Sequence, residues 1–105
     1  MEATENHSAL FRAKVNLETA QIAWKELQRY FASGAALAVA ADLDLVEVAY
    51  QMSQDNAAQI QQWIAAGRFG KVSDEQAKAW LAADEILWAV VVSPWVLVQP
   101  VHRLQ

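Results

Sequence analysis

Cysteine is absent and the two histidines, His7 and His102, stand near the chain ends. Carboxylates are therefore the main groups able to do chemistry. Nucleophilic catalysis needs a Ser or Cys held beside a base. A histidine base must be fixed within hydrogen-bond reach by packed neighbours, so His7 and His102 are expected to be solvent-exposed. The acids that cluster are Asp42, Asp44 and Glu47, with Asp55 further on. Their spacing does not give a calcium loop, which alternates oxygen ligands and places a glycine at the turn. A simpler use is local: Asp42 or Asp44 caps a helix, Glu47 lies in its first turn, and Asp55 recaps. Nothing sets one acid in buried and another in exposed surroundings, as paired-carboxylate hydrolysis requires. No catalytic residue, metal or cofactor is expected. Asp42, Asp44 and Glu47 stay as candidate ligand or cap carboxylates.

Two further groupings invite a chemical reading. Gly67-Arg68-Phe69-Gly70-Lys71-Val72-Ser73 resembles a phosphate loop only superficially. A true one separates its glycines more widely and follows its Lys directly with Ser or Thr. Arg68 and Lys71 precede a helix start, where free amides attract anions, but a helix stop, a turn and two solvated bases account for the same residues. The aromatic set Trp24, Tyr30, Phe31, Trp63, Trp80, Trp88 and Trp95 has three readings: core, core plus a protein interface, or a ligand pocket. Five Trp in 105 residues is a large volume for one small core, which directs some of them to the surface or a partner.

Composition narrows the partners. Hydrophobic residues make up 55% of the chain and charged residues 19%, enough apolar surface to offset chain entropy in one domain. The formal net charge is −4, which opposes nucleic-acid binding. Residues 42–85 carry eight acids against three bases, and residues 86–102 carry no charge. The start of the chain is acidic and polar, unlike a secretory signal. The longest apolar run, Ile86–Val98, is too short for a membrane helix of about 20 residues. A cytoplasmic location is expected, with no membrane partner.

These groups have to be positioned by a small set of elements. Residues 1–7 read as a disordered tail before a single domain over 8–105. Leu10, Ala13, Leu17, Ala20, Trp24, Leu27 and Phe31 recur at steps of three and four, which predicts one amphipathic helix from about Ser8 to Ser33, stopped by Gly34. A shorter helix starting at Leu17 behind an Asn16 cap is the alternative. Ala35–Ala41 reads as a buried strand. Leu43–Met52 is ambiguous: Val46, Val48, Tyr50 and Met52 alternate as in a strand, whereas Leu45, Val48, Ala49 and Met52 fit a helix, and helix is favoured. Helices follow over about 56–66 and from Ser73, where Gln76 three residues on completes a capping box. Residues 67–71 read as a loop. Ile86–Val92 and Trp95–Gln99 are strands, interrupted at Pro94.

Leu43-Asp44-Leu45-Val46-Glu47-Val48-Ala49 and Pro94-Trp95-Val96-Leu97-Val98-Gln99, with Trp63, Lys71-Val72-Ser73 and Trp88, resemble a family of small bacterial proteins catalogued as domain of unknown function 2288. The resemblance spans about Leu17 to Gln99. It implies a complete, soluble bacterial domain and supplies no activity, cofactor or catalytic residue.

The expected fold is α+β, with three or four helices on a two- to three-stranded sheet built from residues 36–41, 86–92 and 95–99. Leu17, Trp24, Leu27, Phe31, Leu37, Val39, Val48, Trp63, Trp80, Trp88, Val90 and Leu97 are the expected core. The expected function is a non-enzymatic interaction module that self-associates as a dimer, with Trp88, Val90, Val92, Trp95 and Leu97 as candidate interface and an unidentified protein as a further partner. The alternative is a small ligand-binding domain or unusual enzyme, its site near Asp42, Asp44 and Glu47.

Overall fold

The computed structural model describes the backbone of residues 2–101 and the side chains from Ala9 onward. His7 and His102, the expected exposed histidines, lie outside the described side chains. The fold is α+β, with more elements than expected. Helix α1 (Glu2–Glu18) is followed by strand β1 (Ala20–Ala23), a 3₁₀ turn (Trp24–Leu27), α2 (Gln28–Ala32), β2 (Ala36–Val39), α3 (Leu45–Ser53), α4 (Ala57–Ala65), β3 (Phe69–Lys71), α5 (Asp74–Ala82), β4 (Ile86–Val92) and β5 (Trp95–Pro100). The sheet has five strands in the order β1-β4-β5-β2-β3, with β2 and β5 parallel and the other pairs antiparallel. The expected strands form its centre. The two unexpected ones, β1 and β3, form its edges.

The long amphipathic helix over 8–33 is the main correction. The helix ends at Glu18, and both the amide and Oγ1 of Thr19 donate to the Val15 carbonyl, at 2.9 and 2.7 Å. The chain then extends, and Ala20–Ala23 pair with Ile86–Ala89 of β4. The physical reason lies in β4. It is β-branched and apolar on both alternations, and without β1 it would be an open edge strand, which invites aggregation. The break also turns α1. Leu17, expected in the core, is 85% exposed, and Leu10 is 71% exposed. Phe11 and the buried Val15 face inward instead. The backbone of residues 2–7, expected as a tail, continues α1.

Other boundaries follow local chemistry. Residues 45–53 are helical, capped by Asp44, whose side chain accepts from the amides of Val46 and Glu47. Asn56 caps α4 through the Gln59 amide. Ser73 and Gln76 form the expected capping box of α5. Gly34 (φ +80°) and Gly67 (φ +75°) end α2 and α4 in the left-handed region that glycine enters without a Cβ clash. Residues 67–71, expected as a loop, instead include β3: Phe69, Gly70 and Lys71 pair with Val39, Ala38 and Leu37.

Alternation along the strands divides the core between two faces. Leu37, Val39, Phe69, Val90 and Leu97 pack with Val15, Leu45, Val48 and Ala49 of α1 and α3. Ala36, Leu87, Ala89, Val96 and Val98 pack on the other face with Trp24, Leu27, Val72 and Ala77. Trp24 is fully buried, edge-to-face with Phe31 and Trp80 at 5.7 and 5.1 Å between ring centroids. Of the expected core, Leu27, Leu37, Val39, Val48, Val90 and Leu97 are also buried. Phe31, Trp63, Trp80 and Trp88 are only half-buried. Volume is the reason: the two thin helical layers enclose one whole indole, Trp24, and leave these four rings at their margins.

Candidate functional site

The three carboxylates near the start of α3 do not converge. Asp42 pairs with Arg68 on the surface. Asp44 Oδ1 takes the Val46 and Glu47 amides at 3.0 and 3.3 Å, satisfying donors that a helix start leaves open. Glu47 sits in the first turn and pairs through Oε1 with Arg12 of α1. Its Oε2 accepts from Gln51 Nε2 at 2.7 Å. Among the described residues no group of three or more His, Asp or Glu side chains is placed to hold a metal ion.

Glu47 is the hub of a polar chain that binds three helices. Gln51 Oε1 accepts from Asn56 Nδ2 at 2.7 Å, and Asn56 caps α4. The Arg12 guanidinium lies 4.3 Å from the centroid of the Tyr50 ring, a cation–π arrangement, and Phe11 meets the same ring edge-on. The Gln51 hydrogen bond, more than burial opposes it and with the help of Arg12, holds the Glu47 carboxyl below the ordinary glutamate range. Sequence reasoning placed Glu47 in the first turn but missed Arg12. The two are 35 positions apart, and no local spacing links them.

The Gly67–Ser73 segment does not assemble an anion cradle. Arg68 is engaged by Asp42. At the start of α5 the Ser73 amide donates to Gln76 Oε1 and the Gln76 amide to Ser73 Oγ, at 3.1 and 3.0 Å. Those donors are already occupied.

The candidate interface residues divide. Val90 and Leu97 are 2% and 0% exposed and belong to the interior, so neither offers a surface while the domain is folded. Trp88 is half-buried beside a shallow hollow of about 290 Å³ that Asp44, Asn16 and Gln99 also line. Gln99 is buried, and its amide donates to the carbonyls of Ala40 and Leu43 at 2.8 and 2.7 Å. It thereby fixes the turn that carries Asp42 into α3.

Val92 and Trp95 line a larger space. They stand across the turn between β4 and β5, and with Leu37 and Phe69 they form one wall of an open groove of about 640 Å³. Met52, at the end of α3, and Ile60 and Ile64 of α4 form the other wall. The only charged lining residues are Asp55 and Lys71. Helix α4 has no fully buried residue, and Ile64 is 51% exposed. Its apolar face is thus only partly covered by its own domain. The signal for this groove was present in the helical spacing of Ile60 and Ile64. What the sequence withheld was that, among the described residues, the domain covers Ile60 only in part and leaves Ile64 half in solvent.

A five-stranded sheet covered by helices on both faces, carrying an open apolar groove and, among the described residues, no metal-holding cluster of acids and histidines, defines the kind of domain. The chain belongs to the family described as protein of unknown function (DUF2288), whose profile matches residues 10–100. It is similar to a structure described as the NMR solution structure of PA1075 from Pseudomonas aeruginosa. The identity is 46%, the TM-score 0.79, and the match covers 90% of this chain and 87% of that one. No curated protein matches the chain. Among the described residues, no helix is long and apolar enough to cross a membrane.

Proposed function

We propose that this protein is a non-enzymatic interaction module whose contact surface is the groove between α3–α4 and the β4–β5 turn. The observation that carries this is the apolar face of α4, where the partly buried Ile60 and the 51% exposed Ile64 line an open space of about 640 Å³. Apolar surface in a concave, open setting is where protein partners seat side chains. The candidate carboxylates support the same reading, since Asp42, Asp44 and Glu47 each have an intramolecular partner. The module needs no metal or cofactor, and a chain without cysteine suits a reducing cytoplasm.

The test is selection from a displayed library of amphipathic helical peptides against the full chain. Peptides with apolar residues at helical spacing are expected to be enriched, and Ile64→Glu, at an exposed position, is expected to abolish their binding without unfolding the domain. No enrichment, or binding indifferent to Ile64→Glu, overturns the proposal.

A further inference from the structure

Helix α1 carries a second apolar stripe that its own domain does not use. At 100° per residue, Leu10, Ala13 and Leu17 lie on the side opposite Phe11 and Val15, and the two leucines are the most exposed large apolar residues described, at 71% and 85%. Their spacing of three and four is what an amphipathic helix presents to a groove. We propose that the groove receives helix α1 of a second copy of this chain, so that the module self-associates. This rests on the interaction-module reading and names its partner.

Two observations favour a second copy over an unrelated chain. The first is charge. Lys14 stands one turn from both leucines and flanks the stripe. The groove offers one acid and one base, Asp55 and Lys71. Among the described residues neither Lys14 nor Asp55 makes an ion pair, so the stripe brings an unmatched base to a groove that holds an unmatched acid.

The second is placement. The polar chain Arg12–Glu47–Gln51–Asn56 joins α1, through α3, to Asn56 at the groove. Helix α1 and the groove therefore lie on the same side of the sheet, joined through α3. A two-fold contact needs a patch that contains both the projection and its complement, and this side has both. Reciprocal seating uses each stripe and each groove once and closes the assembly at a dimer.

The absence of cysteine makes the test direct. Full-length Leu17→Cys and Ile64→Cys chains are mixed and treated with a short thiol cross-linker, with each chain alone as control. The proposal expects a covalent dimer in the mixture and little in either control. It also expects wild-type chain to dimerise in sedimentation velocity, with Leu17→Glu and Ile64→Glu each raising the dissociation constant about tenfold or more. Both sites are exposed, and far-ultraviolet circular dichroism is expected to match the wild type. Cross-linking strongest in Leu17→Cys alone, which marks stripe on stripe, overturns the proposal. So does a strict monomer, or a dimer indifferent to both Glu variants. If selected peptides still bind a monomeric chain in an Ile64-dependent way, the interaction module stands and only the second copy falls.

Discussion

Truncating Val15 and Leu17 to alanine, one at a time, decides how α1 sits. Val15 is 4% exposed and packs with Leu45, Val48 and Val90 in the core beneath α1 and α3, whereas Leu17 is 85% exposed. Val15→Ala removes two buried carbons, worth about 1.6 kcal/mol at roughly 0.8 kcal/mol each. The cavity left by incomplete relaxation brings the loss to about 2–3 kcal/mol. In a chain of this length that lowers Tm by about 10–20 °C. Leu17→Ala removes more carbon but from water, and alanine is at least as good a helix former, so its effect stays within about 0.5 kcal/mol. The assay is urea unfolding at low micromolar concentration, where a weak dimer does not contribute to stability by mass action. A continuous helix through Phe31 demands the reverse order. A Leu17→Ala loss above about 1 kcal/mol, or a Val15→Ala loss below about 0.5 kcal/mol, refutes the placement of α1.

Other perturbations follow from the same packing. Glu47 is held below its ordinary pKa by Gln51 and Arg12, so the stability it adds is present above its unfolded pKa and is lost as the pH falls through the lower folded value. Glu47→Gln should remove that part of the acid-side slope of stability against pH, at a cost of no more than about 1 kcal/mol near neutrality, because both partners of the Arg12 pair are about one-third exposed. Gln99→Leu removes two buried hydrogen bonds to the Ala40 and Leu43 carbonyls. It should cost about 2–3 kcal/mol and speed amide exchange in residues 40–46. Asp84 has φ +52°, so Asp84→Gly should raise stability by about 0.5–1 kcal/mol in thermal unfolding.

How much of this was legible depends on whether the governing contact was local. Ser73 with Gln76 and Gly67 after α4 are decided within one helical turn, and the sequence names them correctly; before α3 it leaves Asp42 or Asp44, and Asp44 is the cap. The β-branched runs of β4 and β5 are legible because both alternations are apolar. The region 18–27 was misread because two periods overlap there. Ala20 and Trp24 belong to the three-and-four spacing of a helix and also, with Ile22, to the two-residue spacing of a strand. Pairing with β4, more than 60 residues away, decides between them, and no local pattern records it. β3 is similar: Phe69-Gly70-Lys71 is too short to announce a strand, and β2 makes it one.

The candidate site divides in the same way. Placing Asp44 as a cap and Glu47 in the first turn was sound, because capping is local chemistry, whereas the cap expected of Asp55 falls to Asn56, whose side chain takes the Gln59 amide. The interface residues were chosen for apolarity alone, which does not distinguish the buried Val90 and Leu97 from Val92 and Trp95 at the groove. The two faces of the sheet are covered by α1 and α3 on one side and by the 3₁₀ turn and α5 on the other. What remains open lies at the end of α3, along α4 and beside the β4–β5 turn.

Amide chemical-shift mapping of the full chain with a library-selected helical peptide tests that groove most directly. The contact surface proposed above predicts the largest changes at Met52, Ile60, Ile64, Lys71 and Trp95, with Asp44, Trp88 and the α5 face unchanged. Changes centred on Asp44 and Trp88, or spread without relation to the groove, would contradict it.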